Sequence, residues 1–344
     1  MASAGIRFFH DADCRSWEPR LSVSVYTVAN EAFFPGLVGL VTSLRVHGHS
    51  GPVIVGDSGL NPEQAEAISH EALIVQLPPD LPPTFAKTVA PLGHPDDVMI
   101  SLDADILCVR PLDDLIARTS AGSILAVEDM GRVGLSESMW RQWEQRLDLG
   151  PLRVASYING GFFALPREDG IRFFTVLAEC LERVDPDETF VRPGLRADLS
   201  LPFFYADQDV ANAILASARF REHAAILPYS AAPHPPFDGV EVTSDLTCID
   251  QNGEKPFFLH HARQKPWSEP LPSNPYTELL VEFIHHPLAP HFDERELPLF
   301  LRAGRTAQAA RQLRSARGHV RTHVRGRLGL RSYLQSRAQR SGPA

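Results

Sequence analysis

Two carboxylates at the end of an apolar segment are the residues of this sequence best suited to chemistry. The run Val98–Leu102 is apolar apart from one serine, which predicts a buried β-strand, and Asp103 and Asp105 follow it directly. Alternate residues of an extended chain point to the same side, so both carboxylates can converge on one cation. Burying two neighbouring carboxylates without a cation is costly. The sequence therefore predicts a metal site here.

The Asp-x-Asp spacing by itself carries little information. A chain of this length contains on the order of one such pair by chance, whereas this one contains four, the others being Asp11/Asp13, Asp185/Asp187 and Asp207/Asp209. The pair at Asp103 is distinguished by the apolar strand before it and by the apolar residues 106–109 after it. We therefore place the metal site at this pair, since an isolated pair is ordinarily a solvated turn.

A second group of polar residues follows another short apolar segment, at residues 256–259. His260 and His261 come next, and Lys265 lies close behind them before a Pro-Trp pair that can fix its position. Lysine suits phosphate charge, and two carboxylates with one imidazole suit Mn²⁺ better than the alternative, Mg²⁺, because nitrogen is a softer ligand. We favour His260 as the ligand because it is the first residue past the strand, with His261 as the alternative.

The segments around these residues alternate between strand-like and helix-like composition. Strands are predicted at residues 21–29, 52–56, 72–77, 98–102, 123–127, 157–165 and 256–259. Helices are predicted at residues 34–46, from Asn61 onward, and at 87–92, 168–183 and 207–216. This alternation predicts an α/β fold with a mostly parallel central sheet flanked by helices. In such sheets ligands bind beyond the carboxyl ends of the strands.

Several short motifs resemble the family 8 glycosyltransferases of the GT-A fold, a group that includes glycogenin and bacterial lipopolysaccharide galactosyl- and glucosyltransferases. The matches are the metal-binding strand at 99–105 with the helix after it, a lysine (Lys87) before that strand, and the segments Tyr157-Ile158-Asn159-Gly160-Gly161-Phe162, Asp207-Gln208-Asp209-Val210-Ala211-Asn212 and Lys265-Pro266-Trp267. The resemblance implies a GT-A nucleotide-diphospho-sugar transferase fold over residues 21–300.

The resemblance also implies a role for each matched residue. Asp103, Asp105 and His260 would bind Mn²⁺, and Gln208 would sit beneath the anomeric carbon of the donor sugar. The other residues divide between nucleotide and sugar: Val28, Asn30, Ala104 and Lys265 would contact the nucleotide diphosphate, while Lys87, Asp129, Asn159 and Asp207 would hold sugar hydroxyls.

Two positions depart from the family pattern. The family usually places its histidine ligand six residues before the lysine, whereas His260 lies five and His261 four residues before Lys265. The residue at spacing six is Leu259, which cannot bind a metal. Gly160 stands where the family often has serine.

The function expected from the resemblance is a metal-dependent, retaining hexosyltransferase that uses a nucleotide-diphosphate sugar, with UDP as the nucleotide. The acceptor expected is a glycan, either lipid-linked or part of a lipopolysaccharide. One alternative is a sugar nucleotidyltransferase, which needs a Gly-rich basic loop after the first strand; Val28-Ala29-Asn30-Glu31-Ala32 contains no Gly, Lys or Arg. Another is a non-catalytic nucleotide-sugar-binding protein on a degenerate transferase scaffold.

The charge distribution separates a basic tail from an acidic body. Residues 301–344 contain eleven arginines and no acidic residue, so the rest of the chain carries −20 to give the net charge of −9. Apolar residues recur among the arginines at roughly helical spacing, which favours attachment to an anionic membrane surface. The alternative is a solvated terminus. Nucleic acid is disfavoured as a partner because no aromatic stacking set accompanies the arginines.

The remaining features are those expected of a cytoplasmic protein. The first twenty residues contain no apolar run typical of a secretory signal, and the longest apolar stretch, residues 33–44, is too short to cross a bilayer. Four widely spaced cysteines (Cys14, Cys108, Cys180, Cys248) indicate free thiols in a reducing compartment. The basic tail would hold the protein at the inner face of the membrane.

Overall fold

Strands and helices alternate along the chain, whose computed structural model describes residues 21–82, 84–130, 135–190, 200–262, 265–268 and 273–316. The strands in these ranges are β1 (Val23–Ala29), β2 (Val53–Asp57), β3 (Leu73–Gln76), β4 (Val98–Leu102), β5 (Ile106–Cys108), β6 (Ile124–Glu128), β7 (Ile158–Pro166), β8 (Ala224–Leu227), β9 (Glu241–Val242), β10 (Cys248–Ile249) and β11 (Phe258–His260). The helices are α1 (Phe34–Val46), α2 (Pro62–Ser69), α3 (Ala86–Gly93), α4 (Asp113–Ser120), α5 (Glu137–Leu147), α6 (Arg167–Leu181), α7 (Asp207–Ala216) and α8 (Pro275–Ile284).

A seven-stranded sheet in the order β3-β2-β1-β4-β7-β6-β8 forms the centre of the fold. Neighbouring strands are parallel except around β7, which runs antiparallel to both β4 and β6. The predicted mostly parallel sheet is thus confirmed. Because β7 runs against its neighbours, its amino end lies at the same edge of the sheet as their carboxyl ends.

Helices cover both faces of this sheet, as the alternating pattern predicts. One face packs against α1, α2, α4 and α8 around a core that includes Leu37, Val55 and Phe283. The other packs against α3, α5, α6 and α7 around a core that includes Trp143, Phe173 and Ile214. The sheet is therefore buried on both sides, which accounts for the continuous apolar runs in β2 and β4.

The expected helix starts are formed by the residues that predict them. Asn61 caps α2 by accepting a hydrogen bond from the backbone N–H of Gln64, whose side chain accepts one in return from the backbone of Asn61. Pro35 lies in the first turn of α1, where a missing N–H has no cost.

The strand predicted at 256–259 forms as β11 but does not join the large sheet. It pairs antiparallel with β5, with Leu259 opposite Leu107 and His260 opposite Ile106. Because β5 follows Asp105 in the chain, this pairing carries His260 to the end of β4. A two-stranded sheet thus connects two segments that are remote in sequence.

The predicted tail lies only partly within the described ranges. Residues 305–316 are helical, and Leu301 and Ala307 are buried. The seven arginines from Arg317 onward lie outside the described residues, as does Cys14. Cys108, Cys180 and Cys248 are buried free thiols. None of the described helices combines the length and the apolar composition that a membrane crossing requires.

Helix α8 packs closely against α1 and β5. Gly39 permits this approach, since a Cβ at that position would lie 2.6 Å from Leu280 Cδ1 and 2.9 Å from Leu107 Cδ2. Leu280 itself is fully buried. We therefore expect α8 to contribute substantially to stability.

The substitution Leu280→Ala tests this packing. It should lower the free energy of unfolding by about 3 kcal/mol, because a buried leucine is replaced by a cavity. Leu288→Ala is the matched control, since Leu288 is 49% exposed, and should change stability by less than about 0.5 kcal/mol. Denaturant unfolding of both variants gives the comparison, and equal effects would show that α8 is not packed as described.

Candidate functional site

Asp103, Asp105 and His260 form a cluster at the carboxyl edge of the central sheet. Their ligand atoms all lie within 4.8 Å of one another. His260 Nε2 is 3.2 Å from Asp105 Oδ1 and 3.8 Å from Asp103 Oδ2. Asp105 and His260 are both 3% exposed. The structure thus brings together the three residues predicted as metal ligands.

Two lysines from separate parts of the chain balance these carboxylates. Lys87, on α3, lies 2.7 Å from Asp103 Oδ1 and 3.0 Å from Asp207 Oδ2. Lys265, after β11, forms an ion pair with Asp105 Oδ2. Burial opposes charge on Asp105, but His260 and Lys265 outweigh it and hold the pKa of this carboxyl well below its usual range. Burial likewise opposes charge on Lys87, but Asp103 and Asp207 raise its pKa well above the usual value.

Three observations indicate that the cluster could hold a divalent cation. It offers two carboxylate oxygens and one imidazole nitrogen, a donor set suited to Mn²⁺. Asp105 Oδ1 is buried and accepts no hydrogen bond from the described residues, although His260 Nε2 lies 3.2 Å away. Gly161 leaves space beside the cluster, because a Cβ there would lie 2.4 Å from His260 Cε1 and 3.0 Å from Asp103 Oδ2. Together these features form a cradle for a metal ion.

Gln208 is held at the same edge by a set of hydrogen bonds. Its Nε2 donates to Asp129 Oδ2 at 3.0 Å and to the Tyr157 hydroxyl at 3.0 Å, while its Oε1 accepts from the backbone N–H of Gly160 at 2.9 Å. Asn159 Nδ2 also donates to Asp129 Oδ2, at 3.1 Å. Hydrogen bonds therefore join Asp129, Asn159 and Gln208. Lys87 links this group to Asp207, because its ammonium donates to the Gly160 carbonyl at 3.1 Å and lies 3.0 Å from Asp207 Oδ2.

Three residues without a predicted role hold this set in place. Asp209 is fully buried and accepts from the Tyr157 hydroxyl and the Tyr205 backbone N–H, each at 2.7 Å. Asn212 accepts from the Ile158 backbone N–H at 2.7 Å and donates to the Gln208 carbonyl at 2.8 Å. The motif at 207–212 contains their signal, since Asp209 and Asn212 are three residues apart on a helix and share a face.

A strained residue precedes this helix. Ala206 is fully buried and has a φ of 46°, in the left-handed region that favours glycine. Strain of this kind persists where surrounding contacts enforce it and is concentrated at functional sites. Ala206 directly precedes Asp207 and Gln208, the first two residues of α7.

His261 points away from the cluster. Successive residues of a strand face opposite sides, and its ring lies 5.1 Å from the Tyr276 ring and 5.8 Å from the Phe237 ring. Burial lowers the pKa of His261 to about 4, with the charge of Lys265 adding to the effect. His261 thus occupies the core behind the site.

The residues predicted to contact the nucleotide lie along the neighbouring strand end. Asn30 follows β1, which pairs in parallel with β4, and its Oδ1 is buried without a hydrogen bond to the described residues. Val28 is partly exposed on β1, and Ala104 is buried between the two carboxylates. Because β1 and β4 are adjacent parallel strands, these residues lie at neighbouring strand ends, next to the cluster of Asp103, Asp105 and His260.

Comparison with solved structures identifies similar folds. The apo form of the glycosyltransferase GlyE from Streptococcus pneumoniae TIGR4 is 13% identical, with a TM-score of 0.50 over 78% of this chain and 61% of GlyE. The galactosyltransferase LgtC, in complex with donor and acceptor sugar analogues, is 16% identical, with a TM-score of 0.49 over 77% of this chain and 98% of LgtC. The bifunctional glycosyltransferase WbbM, in its apo form, is 14% identical, with a TM-score of 0.49 over 78% of this chain and 50% of WbbM.

The comparison with GlyE establishes the fold. The likeness to GlyE shows that the chain has the GT-A type of fold that the sequence resemblance implies. The chain spans half the length of WbbM and about three fifths of GlyE. No protein-family model matches the chain, and no curated protein matches its sequence. Membership of family 8 stays a prediction.

Two buried tyrosines give a matched test of the hydrogen-bond network. Tyr157→Phe removes the hydroxyl that serves Asp209 and Gln208, and it should lower the free energy of unfolding by about 2 kcal/mol because a buried carboxylate loses a partner. Tyr276→Phe should leave stability unchanged or raise it, since its buried hydroxyl has no hydrogen bond among the described residues. Denaturant unfolding measures both, and a larger loss for Tyr276→Phe would contradict the network.

Proposed function

We propose that this protein is a metal-dependent glycosyltransferase that moves a hexose from a UDP-linked sugar to a glycan acceptor. The observation that carries the proposal is the Asp103, Asp105 and His260 cluster at the carboxyl edge of a GT-A type sheet. Two carboxylates and one imidazole suit a cation that would supply positive charge to a diphosphate, and Lys265 forms an ion pair with one of these carboxylates, Asp105. The fold alone does not specify a reaction, so the proposed reaction rests on the side chains of the site.

The residues of the site divide between the two parts of the donor substrate, the nucleotide diphosphate and the sugar. Asp103, Asp105 and His260 would hold Mn²⁺, and the ion would supply positive charge to neutralise the leaving nucleotide diphosphate. Lys265 adds positive charge beside the same phosphates. Val28, Asn30 and Ala104 line the nucleotide pocket. Lys87, Asp129, Asn159 and Asp207 orient the sugar through its hydroxyls, since these side chains supply both donors and acceptors.

The position of Gln208 supports a retaining reaction. Its amide has no basic atom and is fixed on both sides by hydrogen bonds, so it cannot take a proton from the acceptor. A carbonyl oxygen held beneath the anomeric carbon would stabilise an oxocarbenium-like sugar. Attack from the face of the leaving group, with a donor phosphate oxygen taking the proton of the acceptor, then gives retention. The anomeric configuration of the product, read by NMR, tests this step.

A sugar nucleotidyltransferase is disfavoured by the segment that follows β1. A triphosphate requires a loop rich in glycine and basic residues, whereas Asn30 leads into a short 3₁₀ turn at Glu31–Phe33 that contains neither. A non-catalytic binding protein is the remaining alternative. It would bind nucleotide-sugar without turnover, which the experiments below distinguish.

Substitution of the metal ligands tests the proposed reaction. Asp103→Asn and Asp105→Asn should each abolish transfer from UDP-sugar in the presence of Mn²⁺, because a carboxylate ligand is lost. Asp113→Asn is the matched control, since Asp113 is exposed on α4, and should retain full activity. If either ligand variant kept more than about a tenth of the activity, less than about 1.4 kcal/mol of barrier would be at stake and the metal assignment would be wrong.

The two histidines are distinguished by metal activation. His260→Ala should raise the Mn²⁺ concentration needed for half-maximal activity far more than His261→Ala does, because only His260 lies in the cluster. Melting temperatures measured without metal separate this effect from a loss of packing at His261. The reverse order would place the ligand at His261.

The nucleotide is identified by a donor screen. UDP-sugars should raise the melting temperature in the presence of Mn²⁺ and raise it much less without the metal, since a ligand that binds the native state more tightly stabilises it more. Stabilisation by GDP-sugars alone would change the proposed donor. Stabilisation without any turnover would favour the binding-protein alternative.

The basic tail is proposed to attach the enzyme to an anionic membrane surface on the cytoplasmic side. This arrangement would bring the donor site near a lipid-linked or lipopolysaccharide acceptor. Seven arginines lie beyond residue 316, and each basic residue near such a surface contributes about 1 kcal/mol.

Truncation after residue 316 tests this attachment. The cut preserves Leu301 and Ala307, which are buried against the body, and removes the seven distal arginines. The truncated protein should lose binding to phosphatidylserine vesicles at low salt and should keep its hydrolysis of the donor. Vesicle binding equal to that of the full chain would contradict the proposal.

A further inference from the structure

The chain around Lys265 is anchored from three sides. We call residues 265–268 the Lys265 loop. The Lys265 ammonium bonds Asp105 and donates to the His261 carbonyl at 2.9 Å. The Trp267 indole N–H donates to the Ala32 carbonyl at 2.7 Å. On the third side, Arg314 Nη2 donates to the Pro266 carbonyl at 3.3 Å. The first anchor belongs to the site and the second to the 3₁₀ turn Glu31–Phe33 that precedes α1, but the third comes from the C-terminal helix.

The helix at 305–316 is itself fixed to the body. Ala307 is buried at its start. Arg311 Nη1 donates to the Phe300 carbonyl at 2.9 Å and to the Arg302 carbonyl at 3.1 Å. The Arg314 guanidinium lies 3.9 Å from the centroid of the Phe300 ring, which orients it by a cation–π contact. These contacts give the helix a defined position from which Arg314 reaches the loop.

The same helix also contacts the chain beyond the loop. Ser315 Oγ accepts a hydrogen bond from the Ser273 backbone N–H at 3.1 Å, and Ser273 leads directly into the cap of α8 at Asn274. Neighbouring residues of one helix thus hold the chain at Pro266 and again at Ser273. This double attachment restricts how far the Lys265 loop can move.

The contact with Arg314 affects the position of the Lys265 ammonium, because the lysine side chain is flexible. Its ammonium sits on a stem of four carbons with rotatable bonds, so its position depends on where its backbone is held. Pro266 and Trp267 are buried, and a buried carbonyl needs a donor. A charged donor makes a stronger hydrogen bond than a neutral one. Arg314 therefore fixes the backbone immediately next to Lys265.

We propose that Arg314 is a positioning residue for the Lys265 ammonium, so that the C-terminal helix sets the affinity of the site for the donor diphosphate. The proposal rests on the proposed function for its ligand, a nucleoside diphosphate bound through its phosphates. It assigns the arginines at 311 and 314 to the body of the enzyme. Their role differs from that of the distal arginines, which lie outside the described residues.

The first test measures the loop directly. Arg314→Gln, made in the full chain, should accelerate hydrogen exchange roughly tenfold in a peptide covering residues 265–268, because a charged hydrogen bond is lost. The Ser268 amide, which donates to the Lys265 carbonyl at 3.1 Å, reports on the loop itself. Arg305→Gln is the matched control, since Arg305 is exposed on the same helix. Unchanged exchange at 265–268 in Arg314→Gln would overturn the proposal.

The second test measures the donor. Arg314→Gln should raise the KM for UDP-sugar roughly tenfold with kcat within about twofold of the wild type, whereas Arg305→Gln should change neither. Combining Arg314→Gln with Lys265→Gln should raise KM no further than Lys265→Gln alone, because Arg314 acts through Lys265. Additive effects, or a fall in kcat with unchanged KM, would indicate a merely structural role and overturn the proposal.

The two tests separate this inference from the proposed function. If the wild-type protein neither binds nor turns over UDP-sugar, the proposed function fails, while hydrogen exchange still decides whether Arg314 holds the loop. If the wild-type protein is active and Arg314→Gln has wild-type KM, the proposed function stands and the positioning role is wrong.

Discussion

The site depends on the confinement of two adjacent carboxylates at the end of a buried strand. Two carboxylates that lie two residues apart in the chain and share one edge of the sheet repel each other strongly where water is scarce. The protein balances each with a different lysine, Lys87 beside Asp103 and Lys265 beside Asp105, and adds His260 between them. These three partners come from α3, from the end of β11 and from the loop after it. The elements that surround the site are arranged so that this charge is compensated.

The antiparallel strand β7 is the topological feature that completes the site. In a purely parallel sheet each strand would contribute only its carboxyl end to this edge. Because β7 runs the other way, its first residues, Ile158 to Gly161, lie beside the ends of β4 and β6. The Asp103 backbone N–H donates to the Gly161 carbonyl at 2.9 Å, and Gly161 has no side chain to occupy the space next to His260. One reversed strand thus joins the cluster of Asp103, Asp105 and His260 to the hydrogen-bond network of Gln208.

Much of the fold follows from local sequence. Apolar runs predict β2 and β4, and Asn61 with Pro62 predicts the start of α2. The same signal at Asn274 and Pro275 begins α8, which our sequence analysis did not assign. Helix α5 was also missed, although Ser136 caps it and Trp140 and Trp143 are buried on one face. The antiparallel direction of β7 and the pairing of β11 with β5 are long-range properties that periodicity does not contain.

The candidate site was predicted less completely than the fold. The sequence indicated which polar residues would lie close together, because the carboxyl ends of parallel strands lie at the same edge of a sheet. The structure brings most of these residues together. The sequence did not identify Tyr157, Asp209 and Asn212 as the residues that hold Gln208, since their partners are distant in sequence. It favoured His260 over His261 from position alone, because the face that a strand turns toward a site is set by its pairing, which is a long-range property. The chemical roles of these residues remain predictions.

Pulsed electron paramagnetic resonance provides the sharpest test of whether two aspartates and one histidine bind Mn²⁺. Echo modulation from Mn²⁺ bound to the wild-type protein reports on nitrogen nuclei in its coordination shell. Coordination by His260 should give a ¹⁴N coupling from one imidazole, together with one tightly bound Mn²⁺ per chain. A spectrum without ¹⁴N coupling, or with the coupling of two imidazoles, would contradict it.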